Sequence, residues 1–484
     1  MSLKKRRNMH YLAFAAFFML LAGPLQADRI TAGTAHNLVA KGNGSQFVWG
    51  ANDNGQLGDG TTLDALNPIA VVDIRYNALD GAIAVVAHGD NSLVLLDDAT
   101  LLGWGPNENG QLGSGVLYRG KYLNLPEEAE SDGGDASDGE DTEPAPADNS
   151  LLFPTVIVDP DGKPLSNITA IALGANFAAA VNQQGNVLVW GNLEAFKDRE
   201  QDREPVNRYR DKFFDPTIEF IDSQYRDGDP VDEFELLYMT DQQGNRVPGI
   251  VAVAVGDDHL LALTNTGNVL AWGENDSGQL GDGSQRQSAY PVYVRNPQQA
   301  AIGGIVSIAA IDNRSWAITA DGQLLGWGGD VAAVPLEEET DETDEAEVTD
   351  ADPRSVEYYA QPVTDDEGRP ITGVRKLAPG SSHILALTFD SRVIGWGSNS
   401  NGQLGDGTNS SASATTTVTL ANGQALGNIT EIAVGDSHSM ALRGDGYVFT
   451  WGAGENGELG DGTNVDSYYA VNTRDRNNYP FSLY

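Results

Sequence analysis

One phrase recurs along this chain and restricts it to a repeat architecture. Trp396-Gly397 leads into Asn401-Gly402-Gln403-Leu404-Gly405-Asp406-Gly407, and Trp49-Gly50 leads into Asn54-Gly55-Gln56-Leu57-Gly58-Asp59-Gly60. Near-copies follow Trp104-Gly105, Trp272-Gly273 and Trp451-Gly452, while Trp190-Gly191 and Trp327-Gly328 lack the second half. Seven of the eight tryptophans therefore sit in Trp-Gly pairs, with Trp316 outside the pattern. A fixed recurrence of this kind means stacked supersecondary units, so the period governs every other inference.

The pairs are spaced by 55, 86, 82, 55, 69 and 55 residues, a unit of 55 lengthened by insertions. Upstream of each pair runs a second shared phrase: small and β-branched residues, then Gly-x-x-His, as in Ile429 to His438. His36, His259, His383 and His438 fill that histidine slot, and Ser92, Phe177 and Arg314 are read there in the other three units. Short apolar runs punctuated by Gly, Asn and Asp are strand and hairpin signals. Each unit reads as four strands, the last of them a short piece such as Tyr290 to Val294. Seven four-stranded units predict an all-β, seven-bladed β-propeller. The first unit opens on an inner strand and the last ends on an outer one, so the ring is expected to close by pairing of N- and C-terminal strands.

Residues 28–484 read as a single propeller domain with insertions at about 116–152, 192–249 and 329–361. The first and third hold runs of acids without a base (Glu127 to Asp148, Glu337 to Asp352) and are expected to be disordered. The second mixes charge with aromatics, including Phe213, Phe214, Tyr225 and Phe234, and reads as a folded protrusion. Those four aromatics are the binding residues expected from sequence, because insertions in repeat proteins tend to gather on one face.

Lys4 to Arg7 followed by the apolar run Tyr11 to Ala22 reads as a signal peptide, residues 1–27, cut near Ala27. That implies a periplasmic or secreted protein, with no membrane insertion once the signal is gone. The full chain carries a net charge of −40, and the cut would leave it near −44 by removing four cations. So acidic a chain lacks the basic stripe that phosphate binding requires, which argues against nucleic acid as a partner. No cysteine is present, so disulfides, thiolate metal sites and a cysteine nucleophile are excluded.

Gly-x-x-His, a turn, and then Trp-Gly-x-Asn-x-x-Gly-Gln-Leu-Gly-Asp-Gly together resemble the regulator of chromosome condensation repeat. The resemblance spans residues 30–484 outside the insertions and implies the same seven-bladed ring. It also implies a range of roles, from nucleotide exchange on the small GTPase Ran with chromatin binding to protein-binding scaffolds.

Each tidy residue set has a repeat-based reading. Trp49, Trp104, Trp190, Trp272, Trp327, Trp396 and Trp451 are expected to pack blades. The four slot histidines are expected to bond backbone within their own blades. Asp59, Asp282, Asp406 and Asp461 are read as turn residues accepting backbone N–H groups. No nucleophile elbow, phosphate loop or calcium loop occurs, so no catalytic residue, metal or cofactor is expected. The favoured function is a monomeric, non-enzymatic scaffold for a protein or a cell-surface polymer. A polysaccharide hydrolase or lyase using channel carboxylates is the alternative, and exchange-factor activity, by family analogy alone, is a second.

Overall fold

In a computed structural model, residues 29–113, 115–117, 150–159, 163–196, 236–329 and 358–484 are described. They form seven antiparallel blades, each a meander of four strands taken in chain order. Blade 1 runs through Ile30–Ala32, His36–Ala40, Gln46–Gly50 and Ala65–Ala70, and blade 7 through Ile429–Val434, His438–Arg443, Val448–Gly452 and Ser467–Asn472. First strands of the intervening blades are Ala82–His88, Ile168–Leu173, Ile250–Val255, Ile305–Ile311 and Val374–Pro379. Blade 2 gains a short fifth strand, Gly115–Leu117, outside its fourth.

First strands of successive blades lie side by side all the way round, blade 7 against blade 1 included, so they line the axis. Their Ala, Val and Ile residues suit that position, because strands converging on an axis leave little room for side chains. Apolar clusters fill each space between neighbouring blades instead of one central core.

Closure differs from the sequence expectation. No sheet mixes strands from the two ends: blades 1 and 7 are each built from consecutive strands. The ends meet across a joint. Phe481, in the tail beyond blade 7, packs edge-on against Phe47 and Trp49, and Gly42 N–H donates to Leu483 O at 3.2 Å. Arg29 reaches Glu431 through its Nε at 3.1 Å and its backbone N–H at 2.8 Å. Four strands already satisfy each other in every blade, so an exchanged strand would gain nothing that side-chain contact does not supply.

One boundary also shifts. Leu236–Tyr238 is the regular fourth strand of blade 3, so the expected 192–249 insertion returns to the repeat at Leu236. Phe213, Phe214, Tyr225 and Phe234, the acidic runs and residues 1–27 lie outside the described residues.

Candidate binding face

In a four-stranded meander the first and third strands run together. The loop from first to second strand and the connection from third to fourth therefore emerge at one end of the ring. All three insertions belong to that end. The chain returns from them at Ser150, Leu236 and Tyr358, each just ahead of a fourth strand.

The repeated phrase lies in those connections, and it makes the joints between blades. Trp104 Nε1 of blade 2 donates to Gln56 O of blade 1 at 2.8 Å. The same bond joins Trp190 to Gln111 O, Trp327 to Gln279 O, Trp451 to Gln403 O and, closing the ring, Trp49 to Glu458 O. Glu can replace Gln in the last phrase because the acceptor is a backbone carbonyl. The Gln and Glu side chains face back instead, accepting a backbone N–H two residues upstream, as Gln403 Oε1 does from Asn401 at 3.0 Å. The following Leu-Gly seats the next blade's indole: a Cβ at Gly405 would stand 2.7 Å from Trp451 Cδ1. Asp59, Asp282, Asp406 and Asp461 each accept the backbone N–H two residues on.

The slot histidines are fully buried, and they too cross joints instead of bonding their own backbone. His36 Nε2 meets Ser92 Oγ at 2.9 Å, His259 meets Ser315 at 2.8 Å, and His383 meets Ser439 at 2.8 Å. His438 meets Asn37 Oδ1 of blade 1 at 3.0 Å. Ser92 is thus the partner of a slot histidine and does not occupy the slot. The second blade's loop has the same length as the first, Ala87 pairing with Ser92 as Ala32 pairs with Asn37; His88 stands where Gly33 does, Gly89 comes one place later, and Asn91 takes the slot. Burial drives the slot imidazoles down to about 3 for His36, His259 and His383, and about 4 for His438, so all four are neutral.

Around the axis, the first-to-second loops form a ring of acids that the sequence reading passed over. Asp90, Asp257, Asp258, Asp312 and Asp436 stand there, and the signal for three of them was a recurrent Gly-Asp: Gly89-Asp90, Gly256-Asp257 and Gly435-Asp436. Backbone bonds link the loops in turn: Thr34 N–H to Gly89 O at 2.7 Å, Asp257 N–H to Asp312 O at 3.2 Å, and Asp436 N–H to Thr34 O at 3.2 Å. Loss of water pushes the Asp257 carboxyl up to about 6, helped by Asp312 and Asp258 and opposed by Arg314. Asp436 is raised for the same first reason, with His88 pulling it back. His88 is lowered by burial against the pull of Asp436 and Asp312.

Further out, Asp53, Glu108, Asp276 and Glu455 occupy one exposed position in four of the five phrases, with Ser400 in the other. Among the described residues, the connections of this end carry only Arg286 and Arg314 as cations. Arg314 is committed to Asp312 at 2.6 Å and to the carbonyls of Gly380 and Ser381. The turns of the opposite end carry most of the remainder, among them Lys41, Arg75, Lys163, Arg246, Arg295, Arg369, Arg392, Arg443 and Arg474. Cations are therefore sorted by face: at the opposite end they stand among acids, Arg369 paired with Asp365, Arg392 with Asp390 and Arg443 with Asp445, while the insertion end is acidic almost throughout. Among the described residues no three His, Asp or Glu side chains gather as a metal site.

Models of the regulator of chromosome condensation (RCC1) repeat match at 43–96, 266–315, 390–442 and 445–481, and at 250–279, 374–403 and 429–458. The chain belongs to the regulator of chromosome condensation repeat family. The RCC1-repeat matches skip 97–249 and 316–373, the stretches that hold the insertions and both broken phrases. Relatives include protein pim1 of Schizosaccharomyces pombe, 27% identical over 88% of this chain and 69% of that protein. The ultraviolet-B receptor UVR8 of Arabidopsis thaliana is 28% identical over 79% of each. Among solved structures, Prp20p from Saccharomyces cerevisiae, described with its binding to Gsp1p and histones, aligns at TM-score 0.55. It shares 17% identity over 92% of this chain and 88% of that one, which is a likeness of fold.

Proposed function

We propose that this RCC1-repeat propeller is a non-enzymatic, exported binding scaffold that captures a basic protein on its insertion-bearing end. The observation that carries this reading is the sorting of charge. The axial acids and the outer phrase acids share one end, and the cations there are only Arg286 and the internally paired Arg314 among the described residues. A field of one sign over a whole face raises the encounter rate with an oppositely charged partner and selects against others. The acidic runs 127–148 and 337–352 belong to the same connections and add to that sign. The binding of Gsp1p and histones named for Prp20p supports the choice of a protein partner. Lys4 to Arg7 ahead of Tyr11 to Ala22 supports export.

The test is titration of the full-length protein with a fluorescent Lys/Arg-rich peptide at low and moderate salt. Binding that weakens several-fold in the Asp90→Asn, Asp257→Asn, Asp436→Asn triple variant, and with salt, is expected. Unchanged binding in the triple variant would refute the assignment of the face. N-terminal sequencing of protein recovered from the cell envelope or medium tests export, with a mature start near Asp28 expected and an intact Met1 refuting it.

Asp257 favours a second reading. A carboxyl held near pH 6 beside Asp312 is poised as a general acid, which a channel hydrolase would need. Release of reducing sugar from a panel of glycans, abolished by Asp257→Asn, is its expected signature, and inactivity across the panel ends it.

A further inference from the structure

The seven joints are of two kinds. Five carry the indole-to-carbonyl bond: blades 1 to 2, 2 to 3, 4 to 5, 6 to 7 and 7 to 1. At the joints from blade 3 to 4 and from blade 5 to 6, the preceding blade lacks the phrase. Neither Trp272 nor Trp396 has an acceptor for its Nε1 among the described residues, and Trp272 Nε1 is buried without a partner. The histidine bridge is missing at both as well, because Phe177 and Arg314 hold the slot.

What fills these two joints is apolar bulk. Between blades 3 and 4, the short helix Glu194–Phe196 places Phe196 edge-on against Phe177, with ring centroids 4.8 Å apart, in the cluster that holds Trp272. Between blades 5 and 6, Trp316, the one tryptophan outside the repeat, packs in the cluster that holds Trp396. The remaining polar ties are side-chain tethers near the mouth, such as Asn176 Nδ2 to Asp258 Oδ1 at 3.2 Å and Arg314 to Ser381 O at 2.9 Å. At the opposite end each joint keeps one backbone bond, Ile250 N–H to Gly185 O at 3.1 Å and Val374 N–H to Gly322 O at 3.0 Å, of a kind that latched joints also have. A directional bond from an indole to a facing carbonyl pins the mouth end of a joint, whereas apolar surfaces hold together without pinning it and permit shear there.

We infer that the propeller is two rigid bodies, blades 4–5 and blades 6-7-1-2-3, which shift against each other at the mouth ends of the two apolar joints. The inference needs no partner at the acidic face and stands apart from the proposed function. It makes the ring compliant at the borders from which the 197–235 and 330–357 connections depart, so whatever engages that end can move one body relative to the other.

Because the chain has no cysteine, paired spin labels can be placed cleanly. Ile83, Val251 and Thr430 are exposed residues at the same bulged position of the first strands of blades 2, 4 and 7. In the full-length protein, labels on Val251→Cys and Thr430→Cys report across the two bodies, and labels on Ile83→Cys and Thr430→Cys report within one. A distance distribution at least twice as broad for the first pair is expected, and equal widths would overturn the inference. An independent check compares Trp272→Phe with Trp104→Phe. The same loss of ring size should lower the melting temperature at least twice as far at Trp104, where a bond is also lost. Equal losses would mean that the latch does not distinguish the joints.

Discussion

His259 of blade 4 and Ser315 of blade 5 are 2.8 Å apart, Nε2 to Oγ, and Ser315 spends its own proton on Gln279 O at 2.9 Å. The serine can therefore only accept from the histidine, which fixes the proton on Nε2 and leaves Nδ1 bare. His259 Nδ1 is indeed without a partner, and the ring lies so close over Gly256 that a Cβ there would stand 2.3 Å from its Cε1. In blades 1, 4 and 7 Gly-x-x-His is thus one steric unit, the glycine being the space the imidazole occupies.

Acid should unfold this protein early. Unfolded histidine takes a proton near 6.5, whereas the buried slot histidines resist until about 3 or 4. As pH falls from 6.5 towards 4 the unfolded chain binds more protons than the folded one. Stability then drops by about 1.4 kcal/mol per pH unit for each histidine. The carboxyls raised by burial, Asp257 to about 6 and with it Asp64, Asp436 and Glu458, act in the opposite sense and favour the protonated fold as pH falls. His88 adds to the four slot histidines, whose fall from 6.5 to about 3 or 4 is the larger change. Urea melts at a series of pH values should show this slope, and His259→Gln should reduce it by about a quarter.

Removing the middle of one relay should be costly. Ser439→Ala leaves His383 Nε2–H without an acceptor and takes one of two donors from Gln403 O. A loss of about 2 kcal/mol in denaturant melts is expected. Ser439→Asn should recover part of it, because Asn37 performs the same task opposite His438.

Two glycines separate strain from collision. Gly405 (φ +65°) and Gly423 (φ +78°) both hold left-handed backbone, but a Cβ at Gly423 meets nothing within 4 Å. Gly423→Ala should cost about 1 kcal/mol in conformation alone. Gly405→Ala must also push Trp451 from its seat, and about 3 kcal/mol is expected by the same melts.

Phe481→Ala tests closure. The ring loses its edge-on contacts with Phe47 and Trp49 at the joint between the chain's ends. A fall of about 3 kcal/mol is expected, with the whole ring unfolding in one transition that circular dichroism and tryptophan fluorescence follow together.

Much of the fold could be read directly from the sequence. The Trp-Gly spacing gave the blade count, and Ile429–Val434 is a strand over the residues whose small and β-branched run suggested it. The joints could not be read this way. Repetition shows that Trp, Gln-Leu-Gly and Gly-x-x-His recur, but a residue bonded to its own unit and one bonded to the next unit recur at identical spacing. For that reason the repeat suggests bonds within a histidine's own blade where the bonds reach the next, and Ser92 reads as a slot residue because Gly89 stands one place late, with Asn91 in the slot. The axial acids escape notice because Gly-Asp looks like turn chemistry until the ring brings three such loops together with Asp312.

Since blades 1 and 7 meet through Trp49 and Glu458 just as blades 1 and 2 meet through Trp104 and Gln56, the break in the covalent chain falls at an ordinary joint. Nothing in the architecture marks it as the place to begin. A circular permutant that links the present ends and opens at Asn296–Ala300, the turn between blades 4 and 5, would therefore retain every latch. The order in which blades are synthesised is separable from the shape they make.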